Sequence, residues 1–221
     1  MTPRMIDLTF PICEGMQTFA APWHPLVEIT QMGRHGIENR ETRKLVIGTH
    51  TGTHVDAPLH FIRRGSTVDQ IPLDVLIGPA TVVDLSDSLN GEAITPEKLT
   101  ERVNNRSWER LLLRFDWDNR WMTNAYYEQH PFLEENTARL LVEKGCRLLA
   151  MDTPQADNPL NGRQSQKDSP IHKILLGSGV ILVEYLCHLN HLTRSEVTFI
   201  AAPLKILGGD GSPARCFAIE E

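Results

Sequence analysis

Residues 50–60 read His-Thr-Gly-Thr-His-Val-Asp-Ala-Pro-Leu-His, and they bring three of the chain's nine histidines and an aspartate into one short segment. In an extended backbone alternate side chains share a face, so we expect His50, His54 and Asp56 to converge, with Gly52 leaving room for something to approach. Two imidazoles and a carboxylate suit a divalent metal ion. His60 lies just beyond them, where a proton donor or acceptor is expected.

Two other interpretations of this segment are open. Histidines four residues apart also occur on one face of a zinc-binding helix. Gly52 and the β-branched residues around it disfavour a helix, and Pro58 disfavours it at the preceding residue. A polar loop with solvated histidines is the remaining alternative.

Composition limits the class of protein. A chain of 221 residues with 41% hydrophobic and 23% charged residues is typical of one globular domain, here residues 1–221. The net charge of −6 argues against a general nucleic-acid binder. The longest apolar stretch, near residues 180–183, is too short to cross a membrane. Without a signal peptide or a Cys-x-x-Cys pair, the sequence predicts a cytoplasmic protein with reduced cysteines and no thiolate zinc site.

Apolar runs bounded by turn residues predict many strands and few helices, and therefore an α/β fold. The predicted helices cover residues 96–103, 134–144 and 171–176, and two of them begin with a capping residue followed by proline. Nine strands are predicted, at residues 5–10, 27–32, 43–48, 80–85, 110–115, 147–151, 180–183, 197–201 and 215–219.

A polar segment follows the strand predicted at residues 147–151. Residues 153–168 are rich in turn-forming residues and show little periodicity. Long loops in compact domains often act as lids or binding loops, and a mobile surface loop is equally compatible with this sequence.

Two further residues are candidates for a metal site. His172 falls in the first turn of a predicted helix, and Glu184 at the end of the strand that follows it. A glutamate after the apolar run Val-Ile-Leu-Val needs a partner if it is buried, and a metal ion would provide one. The alternative is that Glu184 ends its strand at the protein surface.

The motif at residues 50–60 resembles the His-x-Gly-Thr-His-x-Asp-x-Pro-x-His signature of the metal-dependent cyclase-like hydrolases, which include bacterial kynurenine formamidase and isatin hydrolase. The likeness extends over most of the chain. Individually weaker matches are Ile6-Asp7-Leu8-Thr9, Asp152-Thr153-Pro154, residues 169–176 with Glu184, and residues 203–213.

The resemblance implies a swivelling β/β/α domain with a mixed sheet and few helices, in a homodimer or higher homo-oligomer such as a tetramer. It implies that His50, His54 and Asp56 bind one metal ion and His172 a second, with Asp56 and Glu184 bridging the two. It also implies that His60 is the catalytic acid and base. Zinc is the expected ion, in one or two copies, because the ligands are imidazole and carboxylate, and manganese suits the same set.

The expected reaction is hydrolysis of the C–N bond of a small amide, with N-formylkynurenine the leading substrate and isatin-like lactams the second. Kynurenine formamidases carry an aromatic residue and Pro-Gly-Asp near the N-terminus, whereas this chain has Gln-Thr-Phe-Ala-Ala-Pro-Trp at residues 17–23. Phe19 or Trp23 would then contact the substrate, and core packing is the alternative for each. A lyase or dehydratase using the same metal, or a metal-binding protein without hydrolytic activity, are the alternative functions.

Overall fold

The computed structural model describes residues 3–161 and 167–221. Its strands are β1 (Arg4–Asp7), β2 (Glu28–Gly33), β3 (Thr42–Val46), β4 (His54–Asp56), β5 (Ile77–Asp84), β6 (Ala93–Ile94), β7 (Arg110–Arg114), β8 (Phe132–Leu133), β9 (Leu148–Met151), β10 (Ile181–Glu184), β11 (Glu196–Pro203) and β12 (Gly211–Glu220). The helices within this part of the chain are α1 (Leu73–Leu76), α2 (Pro96–Val103), α3 (Asn124–Glu128), α4 (Glu135–Glu143) and α5 (Pro170–Gly177).

All nine predicted strands and all three predicted helices are present, with shifts of a few residues at their ends. The first residues of two helices show why these helices could be predicted from the sequence. At α2 the Thr95 side chain accepts a hydrogen bond from the Lys98 N–H at 3.3 Å, and Pro96 occupies the first turn. Pro170 likewise opens α5. The short elements α1, α3, β6 and β8 were not predicted, because pieces of two to five residues carry no periodicity.

The main sheet is mixed and closes on itself. Its order is β1-β12-β11-β5-β7-β9-β10-β4, and β4 also pairs with the start of β12. Strands β5, β7, β9 and β10 are parallel, whereas β11, β12 and β4 are antiparallel to their neighbours. The predicted α/β class, with a mixed sheet and few helices, is confirmed.

Alternate residues of the central strands face two separate cores. Leu111 and Leu113 of β7 pack in the core that includes α2, α4 and α5, whereas Leu112 packs with Leu148 and Ala150 in the core enclosed by the closed sheet. Strands apolar on both faces read as continuous hydrophobic runs, which is why they were recognisable in the sequence.

Among the described residues, none of the helices combines the length and the apolar character needed to cross a bilayer.

Candidate metal centre and substrate cavity

Three strands meet at one end of the closed sheet and bring the predicted residues together. In the pairing of β10 with β4, Glu184 lies opposite His54 and Leu182 opposite Asp56. On the other side of β4, Gly211 at the start of β12 lies opposite Asp56. Glu184 and Asp56 are both buried, so the alternative that Glu184 ends its strand at the surface is wrong.

The predicted extended backbone over residues 50–56 is correct only from His54 onwards. Residues 49–53 form a turn instead, and Gly52 has a φ of 60°. This left-handed conformation favours glycine. A Cβ at Gly52 would lie 3.3 Å from Met16 Cε, so the glycine serves the turn rather than leaving space for a ligand. The turn still brings His50 Nδ1 to 2.6 Å from Asp56 Oδ1.

His172 reaches the same point from α5. Its Nε2 atom lies 3.2 Å from Glu184 Oε1 and 3.5 Å from Asp56 Oδ2. On the opposite side, His54 Nε2 lies 3.1 Å from Asp56 Oδ1 and 3.6 Å from Glu184 Oε2. The two carboxylates therefore lie between two imidazoles, as bridging ligands would.

Each of these histidines has one ring nitrogen held by the protein and the other aimed at the carboxylates. His54 Nδ1 is 2.8 Å from the Gly52 carbonyl oxygen, and His172 Nδ1 is 2.5 Å from Asp157 Oδ2. His50 Nε2 is 2.8 Å from Asp210 Oδ2. A carbonyl or carboxylate on the far nitrogen is the usual way in which proteins orient metal-binding imidazoles.

Two carboxylate oxygens support a cation at this point. Asp56 Oδ2 and Glu184 Oε1 are fully buried and accept no hydrogen bond. Buried acceptors without a partner are rare, because each costs the free energy of its lost hydration. Within the described residues, two groups have ligand atoms close enough for one ion: His54, Asp56 and Glu184, and His50, Asp56 and His60. The donor set fits a divalent metal ion.

The pKa shifts of the buried histidines also favour a cation at this point. Burial opposes a charge on His50, but Asp56 and Asp210 outweigh it and raise its pKa to about 10. Burial likewise opposes a charge on His172, and Glu184, Asp157 and Asp56 raise its pKa well above the usual value. The carboxylates thus attract positive charge strongly. A metal ion would replace these protons, since ligating histidines must be neutral.

His60 occupies a different position from the buried ligand candidates. It ends a short 3₁₀ turn at Pro58–His60, and its side chain is 21% exposed, compared with 9% or less for His50, His54 and His172. Its ring stacks on His50 with centroids 3.8 Å apart, and Nδ1 lies 3.4 Å from Asp210 Oδ2. His60 therefore borders both the cluster of candidate metal ligands and solvent.

A cavity of about 660 Å³ opens above these residues, with His50, His54, His60, His172 and Glu184 in its lining. This volume is in the range of small-molecule sites. Its walls carry several aromatic side chains: Phe19, Trp23, Phe61, Tyr127 and Tyr185. Both predicted substrate-contacting aromatics thus line the cavity, Phe19 in ring contact with Tyr127 at 6.4 Å and Trp23 largely exposed at the rim.

Sequence reasoning missed several residues of this site. Asp157 lies in the long polar loop, where it accepts the N–H groups of Ile171 and His172 as well as holding the His172 ring. Tyr185, directly after the end of β10 at Glu184, has a φ of 57° and lines the cavity. No local sequence signal was available for Asp157, Asp210, Tyr127 or Tyr185, and Asp157 lies 14 residues before Ile171, whose N–H it accepts. Part of the loop at residues 153–168, namely 162–166, lies outside the described residues.

Comparisons with known proteins agree with this geometry. The family model described as "Putative cyclase" matches residues 6–158. A kynurenine formamidase from Salinibacter ruber is 37% identical over 175 residues, which are 77% of this chain and 76% of that protein.

Two solved structures are similar over nearly their whole length. A protein described as a potential metal-dependent hydrolase with cyclase activity is 27% identical with a TM-score of 0.79, over 100% of this chain and 99% of its own. Isatin hydrolase A from Labrenzia aggregata is 26% identical with a TM-score of 0.88, over 98% and 93% of the two chains. The chain therefore belongs to the cyclase family of hydrolases, together with these kynurenine formamidase and isatin hydrolase relatives.

Proposed function

We propose that this protein hydrolyses the C–N bond of a small aromatic amide, with an N-formyl arylamine such as N-formylkynurenine as the leading substrate. The observation that supports this most directly is the pair of buried carboxylate oxygens, on Asp56 and Glu184, that accept no hydrogen bond. They face imidazole nitrogens at the base of an aromatic-lined cavity. The formamidase relative and the hydrolase folds point to the same reaction class.

The proposed ligands are His50, His54 and Asp56 for one ion and His172 for a second, with Asp56 and Glu184 bridging. Zinc is the proposed ion because three of the five ligands are imidazoles, and manganese is the alternative. When bound, such an ion acidifies water and polarises a carbonyl group. Metal analysis of the purified protein, with both ions offered, decides between zinc and manganese and between one and two sites.

The protein's own groups supply positioning and proton transfer. His60 lies beside the ligand cluster at the cavity, so it is proposed to pass a proton to the departing nitrogen, a role that suits an imidazole near neutral pH. The rings of Phe19 and Tyr127 offer faces and edges against which a flat arylamine can pack. Trp23 would cover the substrate from the rim.

A cyclic amide is the second candidate substrate. The structural similarity to isatin hydrolase A favours it, because opening a lactam breaks the same kind of C–N bond. A cavity of this size accepts either a fused bicyclic lactam or a substituted formanilide.

A panel of three amides tests the substrate class. We expect the metal-loaded protein to cleave N-formylkynurenine with a higher kcat/KM than isatin, and isatin with a higher kcat/KM than an aliphatic formamide, because only the first two stack on the aromatic wall. Chromatography identifies the products. Preference for the aliphatic formamide would contradict the aromatic cavity as the specificity element, and elimination products would favour a lyase.

A homo-oligomer is also proposed, and the hairpin formed by β2 and β3 supports it. In the described structure these strands pair only with each other, and Met32, Ile37 and Leu45 are exposed. An isolated two-stranded hairpin is marginally stable in water. Residues 28–46 also carry four basic and three acidic side chains in a chain of net charge −6. We propose that a second copy of the chain, which is acidic outside this hairpin, packs over the exposed residues of the hairpin.

The four free cysteines are consistent with the proposed cytoplasmic location.

The double variant Met32→Lys, Leu45→Asp tests this hairpin. We expect it to convert an oligomer into monomers, measured by light scattering coupled to gel filtration, because it places charges in an apolar contact. Leu89→Asp is the matched control, because it also places a charge at an exposed leucine, and it should keep the wild-type mass. A variant that keeps the wild-type mass, or a monomeric wild-type protein, would contradict the proposal.

A further inference from the structure

Asp210 faces two neighbouring histidines of the site from outside the ligand cluster. Its Oδ2 atom lies 2.8 Å from His50 Nε2 and 3.4 Å from His60 Nδ1. The two rings are stacked, with centroids 3.8 Å apart and planes 29° from parallel. One carboxylate oxygen therefore contacts both imidazoles at once.

The backbone around Asp210 is fixed to the segment that carries those histidines. The Asp210 carbonyl accepts the Ala57 N–H at 2.9 Å, and the Gly209 carbonyl accepts the Val68 N–H at 2.9 Å. Gly211 permits this close approach, since a Cβ there would lie 2.7 Å from His50 Cε1 and 2.8 Å from the Val55 oxygen. The sequence Gly-Asp-Gly thus delivers one carboxylate against the imidazoles.

Asp210 is 38% exposed, and one of its carboxylate oxygens faces both rings. A carboxylate accepts hydrogen bonds, so an imidazole nitrogen that bonds to it is the one that carries the proton.

We propose that Asp210 is a positioning residue that holds His60 with its Nδ1–H towards the carboxylate, so that Nε2 is the atom that exchanges protons with the substrate. The effect of Asp210 on turnover rests on the proposed hydrolysis, whereas its effect on the His60 ring does not. The Asp210 contact to His50 holds the neighbouring ring in place, and the two rings stay stacked. Fixing one nitrogen of an imidazole in this way selects its tautomer and its orientation.

The first test is spectroscopic and does not depend on any substrate. Long-range ¹H–¹⁵N NMR spectra of the purified, zinc-supplemented protein report which His60 nitrogen carries the proton, and the His60→Ala spectrum assigns the signals. We expect the Nδ1–H tautomer in the wild type and a mixture in Asp210→Asn, because an amide both donates and accepts. Unchanged His60 signals in Asp210→Asn would overturn the proposal.

The second test is a double-mutant cycle on the best substrate of the amide panel. Asp210→Asn should lower kcat about 10- to 100-fold, the usual effect of removing an orienting partner, with KM unchanged. In a His60→Ala background the same substitution should change kcat by no more than about a factor of two. Additive effects, or a loss of bound metal that parallels the loss of kcat, would show that Asp210 acts through His50 and overturn the proposal.

The control separates positioning from support of the loop. Asp69 accepts the Gly208 N–H at 2.9 Å and so holds the same loop, and no contact joins its side chain to His50 or His60. Asp69→Asn should leave both the His60 spectrum and kcat unchanged. If the His60 tautomer changes in Asp210→Asn while no amide is cleaved, the proposed function fails and the positioning role stands.

Discussion

His60→Ala is expected to keep its bound metal and to lose about 10²- to 10⁴-fold of kcat, the usual contribution of a general acid and base. The reason is its position. The ring borders the cavity and is more exposed than the other three site histidines, and its nearest carboxylate is Asp210 rather than Asp56 or Glu184. Removing the ring takes away the proposed proton carrier and leaves the carboxylates of Asp56 and Glu184 in place.

Steady-state kinetics combined with metal analysis of the same samples provide the measurement. His191→Ala is the matched control, because His191 is an exposed histidine outside the cavity. A loss of metal equal to the loss of kcat would make His60 a ligand, which its grouping with His50 and Asp56 also permits geometrically. An unchanged kcat would remove His60 from the mechanism altogether.

The parts of the site that the sequence predicted are those placed by local structure. His54 and Asp56 share a face of one strand, so their spacing predicted their convergence. Glu184 ends a strand whose apolar run was plain, and His172 follows a proline that starts a helix. In each case a pattern of a few residues fixes the direction of the side chain.

The parts that were missed depend on contacts between distant segments. Asp157 and Asp210 reach their histidines across 15 and 160 positions of the chain, and neither lies in a periodic element. His50 was predicted in the right place for the wrong reason, because a left-handed turn at Gly52 rather than an extended strand brings it to Asp56. No sequence pattern singled out Tyr127 and Tyr185, and only the fold shows that they line a cavity.

The family resemblance implied a mixed sheet, but neither it nor the strand pattern predicted that the sheet closes on itself. Strand lengths and apolar runs do not encode which edges pair, and here closure depends on three residues of β4 pairing with both β10 and β12. That double pairing also builds the site, since it places Asp56 between Leu182 and Gly211, and His54 between Glu184 and Pro213. The strand pairing that closes the sheet therefore also brings these site residues together.

Asp56→Asn is expected to abolish turnover and to uncouple the protein's stability from metal. Asp56 is the only carboxylate that contacts His50, His54 and His172 among the described residues, and its Oδ2 atom is buried without a hydrogen bond. A metal supplied at about 100 times its Kd stabilises the folded state by about 2.7 kcal/mol. For a chain of this size that corresponds to a rise in Tm of about 5 to 10 °C.

The measurement is thermal unfolding with and without zinc, in the wild type and in the variant. The wild type should show the rise and lose it on chelation, while Asp56→Asn should show none, because an amide lacks the charge that the bridging position requires. Asp157→Asn alters the carboxylate that holds His172 Nδ1 and the start of α5 but leaves all five proposed ligands in place, so it should weaken metal affinity about 10- to 100-fold and regain the full rise at higher zinc. An equal rise in Asp56→Asn would place the ion elsewhere, and the bridging role of Asp56 would be wrong.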